Sequence, residues 1–342
     1  MGFVSEFFTA SAVPEGGAVL YALREDGELT ELRTIPMPSP DWTEIADGRI
    51  AAAIRDPEAG EAYAEYSLAS GRLLRGPVPS RGVSFCHFAR DGEDVYCANY
   101  TTGSVLHIHG EETALREHRP GEDGVLGPNA GRQERPHCHQ CLFSPCRRFV
   151  LVCDLGLDRV VVYDRALNPV SRASVPAGHG ARHGAFSPDG RTLYVLSEMA
   201  SSLTVFDWDG ENGVLSPRGT VSFAPSLEET RGEHGNTPFT GLTDAASIAV
   251  SGDGRHIWCS SRGEANTIAH LTAEDDGSVV LRSQVPSGGN HPRAIGLLAG
   301  GRFLAVCNTF SNNLTMFRVG RDGELTAVSS RSVPRPQCVN EV

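Results

Sequence analysis

Five side chains able to do acid–base and anion chemistry stand at matching places of a sequence repeat: His139, Arg182, Glu198, Arg262 and Arg293. A guanidinium is a rigid fork of donors that binds a carboxylate or phosphate through two hydrogen bonds. A glutamate or histidine can take a proton from water and return it to a leaving group. The set therefore describes a site for a small anionic substrate whose reaction moves protons. Tyr100 occupies the same repeat position as Glu198, His137 comes two residues before His139, and His291 two before Arg293; these four further candidates, Arg293 included, would bind substrate.

The repeat that aligns them is a hairpin phrase. Its clearest copy is Phe186-Ser187-Pro188-Asp189-Gly190-Arg191 followed by the apolar run Leu193–Leu196, and a second is Phe143-Ser144-Pro145-Cys146-Arg147-Arg148 followed by Phe149–Val152. An Asp-Gly pair between two apolar runs marks a hairpin, because glycine accepts the positive φ of the turn. Copies sit at 47, 91, 146, 189, 253 and 300, in steps of 44, 55, 43, 64 and 47 residues. Blades of a β-propeller repeat at about 40–50 residues, and the longer steps place insertions at 110–136 and 222–244. Strands near Phe7, Val19 and Leu29 lack an innermost partner that the lone C-terminal strand 337–342 can supply. Six hairpin blades and this composite one predict an all-β, seven-bladed propeller closed by its two termini, a single domain over 1–342. Joining the termini removes an open sheet edge.

In a propeller the innermost strand of each blade runs along a central channel and the next strand runs back. The start of the first and the end of the second thus share a face. Four residues before the Phe of the phrase stand Ser84, His139, Arg182, Ala246 and Arg293; eight after the turn glycine position stand Asp56, Tyr100, Leu155, Glu198, Arg262 and Thr309. The charged members are expected to converge at one channel end.

The net charge of −12 disfavours a nucleic-acid backbone as partner, and no 18-residue apolar stretch predicts a membrane span. With no basic, apolar start, the chain is expected to be cytoplasmic, and to be a monomer or weak homo-oligomer. Nine cysteines invite a metal reading, but on a regular strand Cys138 and Cys141 point to opposite faces. Cys97, Cys153, Cys259 and Cys307 read as packing thiols between blades. Calcium held by Glu198, Asp154 and Asn308 is disfavoured by the nearby arginines. His107, His109, His118, His179, His234, His256 and His270 read as loop or strand-surface residues.

With these residues in view, the chain resembles the seven-bladed propeller lactonases, which include propeller-type 6-phosphogluconolactonases and 3-carboxy-cis,cis-muconate cyclase. The matching phrases are Gly127-Pro128-Asn129, Arg132-Gln133-Glu134, Pro136-His137-Cys138-His139, Val152-Cys153-Asp154-Leu155-Gly156, Arg182-His183, Ser197-Glu198, Ser261-Arg262-Gly263 and Pro292-Arg293. The resemblance implies a site without metal or cofactor, built from His139, Arg182, Glu198 and Arg262. Ser197 and Ser261 stand where the family usually has asparagine, and Cys146 where the turn usually has aspartate.

Hydrolysis of a small anionic sugar-acid lactone is the implied activity. Glu198 or His139 would activate water, while Arg182 and Arg262 would stabilise the oxyanion or clamp an anionic group. The same residues could run a muconate-type cyclisation. A non-catalytic propeller scaffold is a third reading, but it does not call for a converging Arg/Glu/His set. The insertion 110–136 leads into His137 and His139 and is expected to cover the active face.

Overall fold

The computed structural model describes residues 2–224 and 243–342. The polar stretch that includes Glu228, Arg231 and His234 lies outside the described residues. Among the described residues the fold is all-β, with 28 strands in seven four-stranded sheets. No helix among them is long and apolar enough to cross a membrane.

The terminal strands pair as expected. Strand β28 (Pro336–Glu341) runs antiparallel to β1 (Phe3–Ser11), setting Phe8 opposite Asn340 and Thr9 opposite Val339. With β2 (Gly17–Arg24) and β3 (Leu29–Pro36) they form one sheet in the order β28-β1-β2-β3. Every other sheet is made of four strands consecutive in the chain, running from β4 (Trp42–Ala46) to β27 (Leu325–Ser332).

The described residues divide into two compact units, 2–79, 243–272 and 282–342 in the first, and 80–224 with 273–281 in the second. The second holds three complete sheets. These are β8 (Phe85–Asp91), β9 (Asp94–Asn99), β10 (Ser104–His109) and β11 (Glu112–Glu117); β12 (Cys138–Phe143), β13 (Phe149–Asp154), β14 (Arg159–Asp164) and β15 (Pro169–Ser174); and β16 (Ala181–Phe186), β17 (Thr192–Ser197), β18 (Ser202–Asp209) and β19 (Val214–Ser222).

Alternation along β13 shows how these sheets pack. Val150 and Val152 face a cluster with Ala98, Val105, Tyr96 and Tyr163, while Leu151 and Cys153 face one with Val195, Phe206 and Trp208. All four β13 residues are fully buried, because a middle sheet is covered on both faces and reads as an unbroken apolar run. Cys97, Cys153, Cys259 and Cys307 are fully buried, and all nine thiols are free.

The hairpin phrases form the turns between first and second strands. In the copy at 186 the Ser187 hydroxyl and the Arg191 N–H both donate to Asp189, and Gly190 takes φ 71°. In the copy at 143, Arg147 must take that left-handed conformation (φ 56°), and Cys146 stands where Asp189 stands, 3.4 Å from the Ser144 hydroxyl. The expected insertion 110–136 is shorter than its sequence limits, because its first residues form β11, the fourth strand of its sheet. The connection that remains covers 118–137.

Candidate active site

The candidate residues stand on β-bulges. Along β12 and β13 the register steps from Cys138 opposite Asp154 to Gln140 opposite Cys153, which leaves His139 as the extra residue. Between β16 and β17 it steps from Ala181–Ser197 to His183–Leu196, leaving Arg182. In the first unit β24 (Pro292–Leu298) and β25 (Phe303–Asn308) repeat the step around Arg293. A bulge breaks the two-residue alternation and re-aims the extra side chain. That is how a polar residue leaves the packed face of a strand whose neighbours are buried.

The bulge also corrects one sequence expectation. Cys138 and Cys141 do not point to opposite faces. With His139 out of register they share one face, in the cluster with Val150 and Val152. Burial pushes both thiols well up, aided at Cys138 by the adjacent Asp154 carboxylate.

Glu198 follows the last residue of β17, and its N–H is held by the Gly180 carbonyl. Gly180 is fixed in turn by the Asp158 carboxylate, which also accepts from the Gly178 N–H. The Glu198 carboxylate is 4% exposed. One oxygen accepts from Arg182 Nε at 2.8 Å, the other from Arg132 at 2.5 Å, and His139 Nε2 lies 4.0 Å away. The Arg182 side chain is 2% exposed, that of Arg132 20%.

Aromatic rings line the same place. Tyr100 stacks on His137 (centroids 4.4 Å apart) and meets His139 edge-on at 5.5 Å. His139 meets His183 at 5.1 Å, and His183 meets His87 at 5.4 Å. Burial, and then the Arg182 charge, push His87 from 6.5 down to about 3, so it is neutral near pH 7. Burial and the Glu198 charge push the Tyr100 hydroxyl up. Burial works to lower Arg132, but Glu198 and Tyr100 outweigh it and hold the guanidinium firmly charged.

Arg132, His87 and His183 were not singled out as site residues from sequence. Arg132 comes from the connection 118–137, which is tied down from below. The Gln133 amide donates to the Leu155 carbonyl and Gly127 N–H to the Gly156 carbonyl. A Cβ on Gly156 would lie 1.8 Å from the Arg135 carbonyl oxygen, so only glycine allows this approach. His137 is held by its N–H to Asp154 and by its ring to the Tyr100 carbonyl and Glu134. The motif that contains Arg132 was visible, but not its reach.

His139, Arg182, Glu198, His137 and Tyr100 are thus brought together within the second unit. Arg262, Arg293 and His291 belong to the first. There Arg262 is buried and donates to the Asp244 and Ala245 carbonyls. Arg293 lies 3.6 Å from Asp41, and the His291 ring stacks on Phe310 at 3.9 Å.

The family described as "Lactonase, 7-bladed beta-propeller" matches residues 8–341. The chain belongs to the seven-bladed β-propeller lactonase family. Its seven sheets are the blades that the family name counts. A relative named 6-phosphogluconolactonase from Bacillus subtilis (strain 168) is 28% identical over 306 residues, 86% of this chain and 82% of the relative. One of the same name from Klebsiella pneumoniae (strain 342) is 25% identical and covers 93% and 92% of the two chains. The solved periplasmic gluconolactonase of Pseudomonas aeruginosa has the same fold, with TM-score 0.83, 24% identity and 99% of each chain covered.

Two groups among the described residues have donor sets suited to a metal ion, and neither includes Glu198: Asp94 with His107 and His109, and His118 with Cys138 and Asp154. The second is wholly buried. His118, expected on a loop or strand surface, sits inside, with Nδ1 2.7 Å from Asp154 and Nε2 2.9 Å from the Tyr163 hydroxyl. His270 is likewise buried rather than on the surface. Asp154, weighed from sequence as a calcium ligand, is engaged by His118 and by the N–H groups of His137 and Leu157.

Proposed function

We propose that this lactonase-family chain opens the ring of a small anionic sugar-acid lactone of the 6-phosphogluconolactone type, with the Glu198 cluster as its reaction site. One observation carries the reading. A nearly buried carboxylate is held between two arginines with an imidazole nitrogen 4.0 Å away. This places proton acceptors and cationic donors within one substrate's reach.

Glu198 or His139 takes a proton from water as the water oxygen adds to the lactone carbonyl carbon. The negative charge that develops on the carbonyl oxygen is met by an arginine, with Arg182 the fixed donor. Collapse of the adduct breaks the bond to the ring oxygen, which leaves with the proton returned by the protonated base. The sum is lactone plus water giving a hydroxy acid. These steps use only protons and hydrogen-bond donors, so we assign the reaction no metal. Removing one oxyanion donor typically costs about 10²–10³ in turnover.

Arg132, one-fifth exposed and on a connection rather than a strand, is suited to the substrate's own anionic group. The reading is tested by proton release during opening of 6-phosphogluconolactone and of unphosphorylated gluconolactone. Arg132→Ala is expected to raise KM at least about tenfold for the first and little for the second, as befits a lost charge-assisted contact. A folded protein that opens neither lactone above the spontaneous rate refutes the proposal.

A further inference from the structure

The strand β10 carries His107 and His109, two residues apart, so both side chains stand on one face of the sheet. Asp94 begins β9 directly opposite His109. Its Oδ1 accepts from His107 Nε2 at 2.7 Å and from His109 Nδ1 at 2.9 Å. Three donor atoms thus converge, each within 4.8 Å of the others.

The surroundings resemble a built ligand set more than a chance surface contact. The Tyr96 ring lies flat on His107 (4.4 Å, 3°), which fixes that imidazole's plane. Arg165, from the turn after β14, donates to the other Asp94 oxygen at 2.5 Å and to Asp91 at 2.6 Å. Partners of that kind orient a ligating carboxylate while leaving one oxygen for the ion. The His109 side chain is 62% exposed, leaving the fourth side open to water.

We infer that Asp94, His107 and His109 form a binding site for a divalent transition-metal ion of the zinc, nickel or copper class. Two imidazole nitrogens and one carboxylate oxygen suit those ions better than calcium or magnesium. Metal–ligand bonds of about 2.0–2.2 Å in a tetrahedron set neighbouring donors about 3.3 Å apart. The present 2.7 and 2.9 Å separations therefore open by only about half an ångström, within reach of small side-chain rotations. When the ion replaces these hydrogen bonds, each neutral imidazole shifts to the tautomer with its proton on the nitrogen that does not bind the ion, so both ligand and proton counts balance. The Arg165 charge opposes the ion, which makes this a site of modest affinity.

The test is calorimetric titration of the metal-stripped chain with zinc chloride, compared with His109→Ala and Asp94→Asn. His118→Ala and His256→Ala serve as controls. Loss of a supporting partner alone costs about 10–100-fold in metal affinity. His109→Ala and Asp94→Asn are each expected to remove one equivalent of zinc or weaken it at least about tenfold, with the controls unchanged. Because His109 is exposed, its variant keeps the wild-type melting temperature without metal but loses the zinc-dependent rise in it. If both variants bind zinc as the wild type does, or if the first zinc equivalent is lost in a control instead, the inference is overturned.

Discussion

Replacing Glu198 by glutamine separates its two roles, as proton carrier and as the anion that holds two arginines. Glutamine keeps the shape and one acceptor oxygen, but its amide nitrogen cannot accept from a guanidinium. Arg182 is 2% exposed and has no route to solvent, whereas Arg132 is 20% exposed and can turn outward. The surviving oxygen should therefore stay on Arg182 and the Arg132 contact be lost. A hydrogen bond to a charged group is worth about 1.5–3 kcal/mol, below the 3–5 kcal/mol of a buried pair broken outright, because one arginine escapes. A loss of about 1.5–3 kcal/mol in stability leaves the chain folded at assay temperature. Loss of a general base lowers turnover about 10²–10⁴-fold, so kcat should fall by that factor, while KM for the phosphorylated lactone rises as Arg132 loses its anchor. Initial rates of 6-phosphogluconolactone opening, corrected for spontaneous hydrolysis, measure both. A folded Glu198→Gln enzyme with kcat within threefold of wild type would show that Glu198 only positions arginines, and the proton-transfer scheme would be wrong.

Two further outcomes follow from the same geometry. Gly156→Ala sets a methyl 1.8 Å from the Arg135 carbonyl oxygen, which lifts the connection carrying Arg132. Since a shift of about 1 Å can cost about 10²-fold in rate, kcat/KM should fall at least about tenfold while circular dichroism keeps the sheet spectrum. His87, with a pKa near 3 when folded and 6.5 as its ordinary value, stays neutral where an unfolded chain would bind a proton. Its contribution is therefore full above pH 6.5 and is lost as pH falls toward 3, at about 1.4 kcal/mol per pH unit. Denaturant melts across that window should show a shallower acid decline in His87→Gln, and an unchanged slope would refute the assignment.

How far the site could be read from sequence depends on what the hairpin phrase counts. Along second strands, counting from the turn holds in each blade where it was applied in the second unit. Tyr100, Leu155 and Glu198 each directly follow the last residue of β9, β13 and β17, and each donates its N–H to the carbonyl leading into the first strand or its edge. Along first strands the count fails once. It selects Ser84, but the register places the bulge of β8 at Cys86, between Phe85–Asn99 and His87–Ala98. The reason is loop length. Asp91 pairs directly with Asp94, whereas the loop at 187–191 separates Phe186 from Leu193, so the same glycine lies two residues nearer the bulge in the shorter turn. His87 escaped notice through that slip, and Arg132 because an insertion has no counterpart in other repeats.

The bulge explains why the chemistry concentrates where it does. A first strand packed on both faces has no regular position from which a charged side chain can leave the apolar layer without a buried, unpaired charge. One extra residue in the first strand of four blades creates such a position, and the chain fills it variously: Cys86, His139, Arg182 and Arg293. The packing on either side is unaffected, as Cys138 and Cys141 show by sharing one cluster across His139. Chemistry can therefore change at one residue in each of these blades while the apolar frame is kept. The sites that follow each second strand vary with it, Glu198 answering Arg182 across a single strand pair at 2.8 Å. The bulge residues are legible as a set only once the register, rather than the turn, is used to align the strands.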